Sequence, residues 1–225
     1  MAAIVAYKPF MIVTGTPCLG KTFNINKLMS LFPTAILIEE QIDKLQEYVP
    51  VHQDDMPTLL GSKFGQLMWM ALRSSEIMKV LFSDNARNNI VIADRFITCG
   101  LLFTMAHQFT NHHEHVTKMK AVVEVSYELL KTMSEQKPIE LHVAVMDSAF
   151  RNIKTECLLK RIEARGGFDK NMYNKNAIKN VDSVFVEWYE KLTLKMLETP
   201  IRNCSLFIHR VGEFNPLLIS APDVQ

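Results

Sequence analysis

The sequence predicts an α/β fold, with a five-stranded parallel sheet flanked by helices on both faces. Two observations predict it: short apolar runs typical of buried strands alternate with helical stretches, and a glycine-rich segment lies between the first run and the first helix. The alternation implies βαβ units, because parallel strands are joined by crossovers that are usually helical. No repeat, low-complexity tract or Pro/Gly-rich linker divides the 225 residues, so we expect a single domain over 1–225.

The elements follow one another along the whole chain. The predicted strands are 9–14, 34–38, 89–93, 140–146 and a weaker fifth at 205–211. The predicted helices are 21–31, 56–82, 98–109, 115–133, 155–165 and 181–197. Segments 47–61 and 166–177 look irregular, so we expect a substrate cover in the first and a lid, about 159–177, around the second.

Charge and cysteine content restrict the class of protein. The 25 Lys and Arg residues nearly cancel the 24 Asp and Glu residues, so no global field favours a nucleic-acid backbone or an anionic membrane. Four scattered cysteines without a CxxC pair predict free thiols in a reducing compartment. No apolar run approaches the ~20 residues that cross a bilayer. We expect a soluble intracellular protein, in the cytoplasm, whose partners are small molecules.

The segment after the first predicted strand has the pattern GxxxxGK[ST]. In this pattern the glycines let backbone N–H groups converge on phosphate oxygens, the lysine reaches the β- and γ-phosphates, and the hydroxyl binds Mg²⁺. Lys21 and Thr22 take the last two roles. A strand before the pattern and a helix after it supply the required context. The predicted ATP-binding residues are Gly15, Thr16, Pro17, Cys18, Leu19, Gly20, Lys21 and Thr22.

A phosphate loop alone does not separate kinases from GTPases, motor ATPases or sulfotransferases. A small GTPase would carry a guanine-reading N-K-x-D segment. The segments 24–27 and 174–175 resemble its start, but neither is followed by the aspartate. The missing aspartate argues against a GTPase switch protein.

Charged residues follow two of the predicted strands directly. Asp94 and Arg95 come after 89–93, and Glu39 and Glu40 come after 34–38. Ligands of open parallel sheets bind beyond the carboxyl ends of the strands. There Asp94 would hold Mg²⁺ or its waters, Arg95 would pair with a phosphate or an acidic partner, and a glutamate would accept a proton from an attacking hydroxyl. The alternatives are a surface ion pair and an ordinary acidic first turn of a helix.

Three residues of the helix at 56–82 share a face. Gln66, Trp69 (or Met70) and Arg73 recur at i, i+3 and i+7, and they offer an amide to a base edge, a stacking surface and a fork of donors. The alternative is that the polar residues point to solvent while other side chains form the core stripe. That stripe would be Leu67, Met68, Leu72 and Ile77.

A basic helix precedes the irregular segment at 166–177. Arg161 and Arg165 lie at i and i+4, so they share a face, and Gly166 and Gly167 follow them. Cations on a mobile flap can close over phosphates and stabilise charge during phosphoryl transfer. A solvated basic helix face is the alternative.

Together these residues resemble the deoxynucleoside kinase family, whose members include deoxycytidine kinase-like and thymidine kinase-like enzymes and the herpesvirus-type thymidine kinases. They also resemble the related thymidylate kinases. The resemblance extends from residue 10 to about 192. It implies a P-loop kinase fold with a small lid, Mg²⁺ with ATP as phosphoryl donor, a role in nucleotide salvage for DNA synthesis, and a possible homodimer.

The resemblance also implies roles for individual residues. Glu40 corresponds to the general base of the family's E-P-x-x-x-W segment, with Glu39 as the neighbouring alternative. Asp94 and Arg95 resemble its E-R-S or D-R-x signature, with Asp94 near Mg²⁺ and Arg95 near the reacting phosphate and the base carboxylate. The segment 159–165 resembles the arginine-rich lid.

The remaining correspondences concern the acceptor. The segment 64–67 looks like the family's base-reading glutamine segment, and Arg73 falls where some members carry a base-contacting arginine. Three features depart from the family: Gln41 and Leu45 replace a proline and a tryptophan, Gly167 stands where another cation is expected, and only Tyr48 is a candidate for the sugar 3′-hydroxyl contact.

One stretch resembles the thymidylate kinases instead. Residues 94–100, with the following Phe103 and Thr104, are similar to their D-R-Y-x-x-S-G segment. Their phosphate loops usually carry an acidic residue or arginine where this chain has Pro17 and Cys18, and the glutamates after the second strand fit a nucleoside acceptor better. Gly100 is small where cytidine- or purine-selective relatives carry aspartate, which would leave space for a thymine methyl.

The sequence therefore predicts an ATP-dependent deoxynucleoside kinase that favours thymidine. A thymidylate kinase is the alternative, and a non-catalytic nucleotide-binding module the third possibility. The predicted catalytic residues are Glu40, Arg95, Lys21, Arg161 and Arg165. The predicted substrate-binding residues are Glu40, Tyr48, Gln66, Trp69, Arg73, Arg95 and Gly100, and the predicted metal ligands are Thr22 and Asp94.

Overall fold

A computed structural model describes residues 8–40, 62–107, 111–165, 174–212 and 219. Its strands are β1 (Phe10–Gly15), β2 (Ile36–Ile38), β3 (Val91–Asp94), β4 (Ile139–Met146) and β5 (Cys204–Val211). They form one sheet in the order β2-β3-β1-β4-β5, and every neighbouring pair is parallel. The predicted five-stranded parallel sheet is confirmed, with each strand end within two residues of its predicted position.

Seven α-helices lie in the described part of the chain. They are α1 (Lys21–Leu31), α2 (Lys63–Leu81), α3 (Asp84–Asn88), α4 (Cys99–His107), α5 (His112–Ser134), α6 (Arg151–Arg165) and α7 (Lys175–Glu198). The bounds of α1 are as predicted. The first part of the expected lid is the end of α6, whereas 166–173 and the expected cover at 47–61 lie outside the described residues.

Several helix starts differ from the prediction, among them that of α6 at Arg151, where 155 was predicted, and capping residues explain the starts of α5, α7 and α3. Asn111 accepts a hydrogen bond from the N–H of Glu114, so α5 starts three residues before the predicted 115. Asn174 caps α7 in the same way, so α7 starts at Lys175, six residues before the predicted 181. The short helix α3 was not predicted, and Ser83 caps it. Side-chain oxygens of Asn and Ser satisfy N–H groups of the first turn, which apolar periodicity does not reveal.

The sheet is buried on both faces. Along β1, Phe10 and Ile12 pack into one layer and Met11 and Val13 into the other, and all four are fully buried. The first layer is covered by α2, α4, α5 and α7, through side chains such as Trp69, Ile77, Leu102, Tyr127 and Trp188. The second is covered mainly by α1 and α6, through side chains such as Ile25, Leu28, Leu158 and Ile162. Burial on both faces explains why the strands read as continuous apolar runs.

The sheet order places the functional residues. After β1 the chain builds β2 and β3 on one side of it, and β4 and β5 lie on the other. Such a reversal opens a crevice at the carboxyl ends of the strands, where ligands of this architecture bind. Gly15, Ile38 and Asp94 end their strands at this edge. No helix in the described ranges is long and apolar enough to span a membrane.

Candidate active site

The loop between β1 and α1 has the backbone geometry of an anion cradle. Gly15 and Gly20 have positive φ angles of 116° and 88°, and Cys18 has one of 59°. A Cβ atom on Gly15 would lie 2.0 Å from the main-chain oxygen of Ala144, so only glycine fits between β1 and β4. Gly20 is the N-cap residue of α1 and provides no side-chain hydrogen bond to the helix, and the first turn carries no acidic residue. The N–H groups and positive dipole end of α1 therefore face the loop with no acidic residue in the first turn of the helix.

Lys21 is held inside this loop. Its side chain is buried, and Nζ donates a hydrogen bond to the main-chain oxygen of Thr16 at 2.6 Å. Burial, assisted by the neighbouring charge of Arg95, lowers the pKa of the Lys21 amine to about 7. The hydroxyl-bearing Thr22 follows it and is exposed at the start of α1. Phosphate oxygens bound in the loop would place negative charge next to the buried amine.

A carboxylate that sequence reasoning missed supports the loop from behind. Oδ1 of Asp182, fully buried in α7, accepts hydrogen bonds from the hydroxyl of Thr16 and from the N–H of Met146, each at 2.7 Å. The loop is thereby tied to the end of β4 and to α7. The signal in the sequence was an aspartate among the apolar positions of α7, such as Val181 and Phe185.

Glu40 and Arg95 meet beside the loop, a proximity that the family resemblance implies. Nε of Arg95 lies 3.1 Å from Oε1 of Glu40, and Nη1 donates to the main-chain oxygen of Gly15 at 2.6 Å. Arg95 is nearly buried and has a positive φ of 83°. Glu40 is half-buried, whereas Glu39 is exposed. Of the two glutamates, Glu40 is the one that pairs with Arg95 at the phosphate loop.

Asp94 presents a carboxylate oxygen that fits a metal ion. Its Oδ1 atom is buried and, among the described residues, has no hydrogen-bond partner. Burial raises the pKa of the Asp94 carboxyl, and the charges of Arg95 and Lys21 oppose this shift. A buried carboxylate oxygen without a donor is the kind of ligand that a hard divalent cation such as Mg²⁺ takes. Thr22, exposed at the start of α1, is the other metal ligand that the sequence predicts.

The predicted face of α2 points inward. Gln66, Trp69 and Arg73 are all buried, whereas Leu67 is 61% exposed, so the alternative with the polar residues in solvent is wrong. A Cβ atom on Gly100 would lie 2.2 Å from Oε1 of Gln66 and 3.2 Å from Cε3 of Trp69. Gly100 thus lets α2 approach α4 closely, and the space expected beside it contains the amide of Gln66.

Arg73 contacts main-chain oxygens at the ends of two strands. Nη1 donates to the oxygen of Glu39 at 2.6 Å. Nη2 donates to the oxygens of Arg95 at 3.0 Å and Ile38 at 3.3 Å, and also to that of Asp94. These contacts join the carboxyl ends of β2 and β3. They differ from the base contact that the sequence predicts for Arg73, which no observation of the structure tests.

Phe103 is a further residue of this region. The guanidinium of Arg95 lies over its ring, 5.1 Å from the centroid, and the ring of Phe185 meets it edge-on at 5.5 Å. Phe103 thereby supports the side chain of Arg95 from α4 through a cation–π contact. The sequence signalled it only as part of the stretch after Gly100.

The basic helix α6 reaches the phosphate loop. Nη1 of Arg161 donates to the main-chain oxygen of Cys18 at 3.2 Å, although the side chain is exposed. Arg165 is the last residue of α6, and its side chain lies outside what the structure describes. Tyr48 also lies outside the described residues. Of the predicted lid cations, Arg161 is therefore placed at the loop.

Comparisons with known proteins identify the fold. No protein-family model matches the sequence, and none of the curated proteins does. Among solved structures, the deoxyadenosine kinase of M. mycoides with bound dATP is similar, with a TM-score of 0.55, 13% sequence identity, and coverage of 89% of this chain and 90% of that chain. The same kinase with bound dCTP has a TM-score of 0.53 at the same identity and coverage. The chain thus has the α/β P-loop kinase fold that the sequence predicts.

Proposed function

We propose that this protein is an ATP-dependent deoxynucleoside kinase of nucleotide salvage, with thymidine as the favoured acceptor. One observation carries the proposal: Arg95 joins Glu40, at 3.1 Å, to the main-chain oxygen of Gly15 in the phosphate loop, at 2.6 Å. A carboxylate base, a cation and a phosphate cradle thereby form one connected unit. This is the arrangement that transfer of a phosphoryl group to a hydroxyl requires.

The proposed reaction uses each of these residues. Glu40 accepts the proton of the 5′-hydroxyl while the hydroxyl oxygen bonds to the γ-phosphorus, and the bond from that phosphorus to the β,γ-bridging oxygen breaks to release ADP. Arg95 orients Glu40 and offsets negative charge at the transferring group. Lys21 binds the β- and γ-phosphates. Arg161 and Arg165 would close over the phosphates as part of a lid at about 159–177.

Mg²⁺ is the cofactor of the proposal. When bound, it would offset the negative charge of the phosphates during the transfer. Asp94, through its buried Oδ1, and Thr22 would hold the ion, directly or through its waters.

The acceptor pocket is proposed at the residues of α2 and α4 that the sequence predicts to bind substrate. The amide of Gln66 offers a donor and an acceptor, which complement the N3–H and a carbonyl of thymine, and Gly100 lies against both this amide and the ring of Trp69. Tyr48 is proposed as the contact to the sugar 3′-hydroxyl. The similar solved structures are named as deoxyadenosine kinases, so deoxyadenosine is the acceptor to compare with thymidine first.

A thymidylate kinase is the second candidate, favoured by the stretch 94–100. Its acceptor already carries a phosphate, which needs no base. The Glu40 carboxylate beside Arg95 would instead repel an anionic acceptor, and this supports the nucleoside kinase. A non-catalytic nucleotide-binding module is the third candidate.

A panel of acceptors tests the proposal. The purified protein is incubated with Mg-ATP and each of the four deoxynucleosides, dTMP or no acceptor, and the products are separated by chromatography. We expect 5′-monophosphates from at least thymidine, and no product with Lys21→Met, the control for contaminating kinases. Turnover of dTMP alone would favour the thymidylate kinase. ATP binding without any turnover would favour the non-catalytic module.

A further inference from the structure

We propose that Arg73 is a positioning residue that holds the Glu40 and Arg95 pair in place, and that it does not read the acceptor base. The kinetic test of this proposal rests on the proposed kinase function, whereas the test by hydrogen exchange does not. The residue is 1% exposed, and it lies on α2 beneath the ends of β2 and β3.

The guanidinium of Arg73 lies directly beyond the last paired residues of β2 and β3. The last register pair between β2 and β3 joins Ile38 to Ala93. Immediately beyond it, Nη1 of Arg73 donates to the oxygen of Glu39 at 2.6 Å, and Nη2 donates to that of Arg95 at 3.0 Å. The first oxygen belongs to the peptide group that leads into Glu40. One side chain thereby connects the backbone of the proposed base to the backbone of its cationic partner.

The backbone of Arg95 needs such support. Its φ angle of 83° lies in a region that residues other than glycine rarely adopt, because the Cβ atom makes it strained. Arg73 binds its carbonyl oxygen, the oxygen of Val13 accepts its N–H at 2.9 Å, and Gly15 accepts a hydrogen bond from its side chain. These contacts hold the carbonyl oxygen, the N–H and the side chain of Arg95. Strained backbone persists at functional sites where the surroundings determine it in this way.

The donors of Arg73 are directed away from a base-reading role. Both terminal nitrogens are engaged by main-chain oxygens, and Nε, which has no partner in the described ranges, is buried. The planar guanidinium donates to main-chain oxygens at the ends of two strands. Lysine cannot replace it, because its single ammonium group is a point charge. Gln66, two turns earlier on α2, faces Gly100 together with Trp69.

Kinetics with several acceptors separate positioning from base reading. With Arg73→Lys, we expect kcat to fall by about 10²-fold, as for a reacting group displaced by about 1 Å, and by a common factor for every nucleoside that the wild type accepts. The ratios of kcat/KM between nucleosides stay unchanged. Gln66→Leu is the matched variant on the same helix, and we expect it to change those ratios. Altered ratios in Arg73→Lys, with kcat retained for the best acceptor, would overturn the proposal.

Amide hydrogen exchange provides a readout that needs no turnover. In Arg73→Lys we expect faster exchange at 38–40 and 93–97, and unchanged exchange in β4, measured by mass spectrometry without substrate. Unchanged protection at 93–97 would contradict the positioning role. Equal loss of protection in β4 would also contradict it, because Arg73 would then support the whole fold. If the wild type phosphorylates no nucleoside, the proposed function fails and the exchange result still decides the role of Arg73.

Discussion

The carboxylate of Asp182 accepts a hydrogen bond from the hydroxyl of Thr16 at 2.7 Å, across 166 positions of the chain. The same oxygen accepts the N–H of Met146. A helix near the end of the chain therefore holds the loop that follows the first strand. Because Asp182 is fully buried, water cannot replace either bond when the carboxylate is removed.

Replacing Asp182 by alanine should destabilise the protein and weaken ATP binding. The substitution leaves two buried donors without an acceptor, at about 1–3 kcal/mol each. Urea denaturation measures the loss of unfolding free energy, and titration calorimetry measures the affinity for ATP. Asp182→Asn is the control, since it keeps an acceptor oxygen and should lose less. A denaturation midpoint equal to that of the wild type in Asp182→Ala would contradict this role.

Replacing Glu40 by glutamine should remove the proposed base while keeping its contact with Arg95, since the amide oxygen still accepts a hydrogen bond. We expect the nucleoside-dependent kcat to fall by about 10²–10⁴-fold with ATP affinity retained. Glu39→Gln is the matched control, because Glu39 is the exposed neighbour and should keep its activity. If Glu39→Gln loses the activity and Glu40→Gln keeps it, the assignment is reversed.

Replacing Asp94 by asparagine should stabilise the free protein and impair its activity. Burial raises the pKa of this carboxyl, so the folded state binds its proton more tightly than the unfolded state does. Stability is therefore lost as the pH rises through the unfolded and folded pKa values, and the cost persists when the carboxyl is ionised. Asparagine removes this cost together with the proposed metal ligand.

Two measurements check the prediction for Asp94. The thermal midpoint at pH 7 should rise in Asp94→Asn, and the Mg²⁺ concentration for half-maximal turnover should increase. Asp84→Asn serves as the surface control, since its carboxylate is 95% exposed in a pair with Arg87. A lower thermal midpoint together with unchanged Mg²⁺ dependence would contradict both roles of Asp94.

ATP binding should be coupled to the protonation of Lys21. In the free protein the pKa of its amine is about 7, so most of the population is neutral at pH 8. Phosphate oxygens favour the ammonium form and raise the pKa. The bound state then holds more protons, and the affinity for ATP falls as the pH rises above 7.

Calorimetry measures this coupling directly. Titrations with Mg-ATP at pH 8, in buffers of different ionisation enthalpy, should show uptake of about one proton. Lys21→Arg should abolish the uptake, because its side chain stays charged in this range. Lys27→Met, an exposed position on the same helix, should leave it unchanged. Equal binding heats in all buffers with the wild type would contradict the coupling.

The sequence predicted the sheet well because its signals are local. Strands buried on both faces are continuous apolar runs, and the phosphate loop has a fixed spacing of glycines and a lysine. The strand ends alone placed Glu39, Glu40 and Arg95 at one edge of the sheet, and it was the family resemblance that implied the proximity of Arg95 to the Glu40 carboxylate. Helix starts set by Asn111 and Asn174 were missed, because caps lie outside the apolar period.

The contacts of Arg73 and Asp182 could not be predicted from periodicity. Their spacing places both on buried helix faces, but their partners depend on which strands are neighbours. Arg73 binds oxygens beyond β2 and β3, and Asp182 binds Thr16, 166 positions away. Main-chain oxygens carry no sequence signal, so a buried arginine that binds them looks the same in sequence as one that binds a base.

The most direct test of the account is a competition between acceptors. The protein receives Mg-ATP labelled in the γ-phosphate, an equimolar mixture of the four deoxynucleosides and dTMP, and mass spectrometry identifies the first labelled product. The account predicts label in a nucleoside 5′-monophosphate, thymidine monophosphate foremost, and its loss with Glu40→Gln. Label in dTDP alone, or equal labelling of nucleosides by Glu40→Gln, would contradict it.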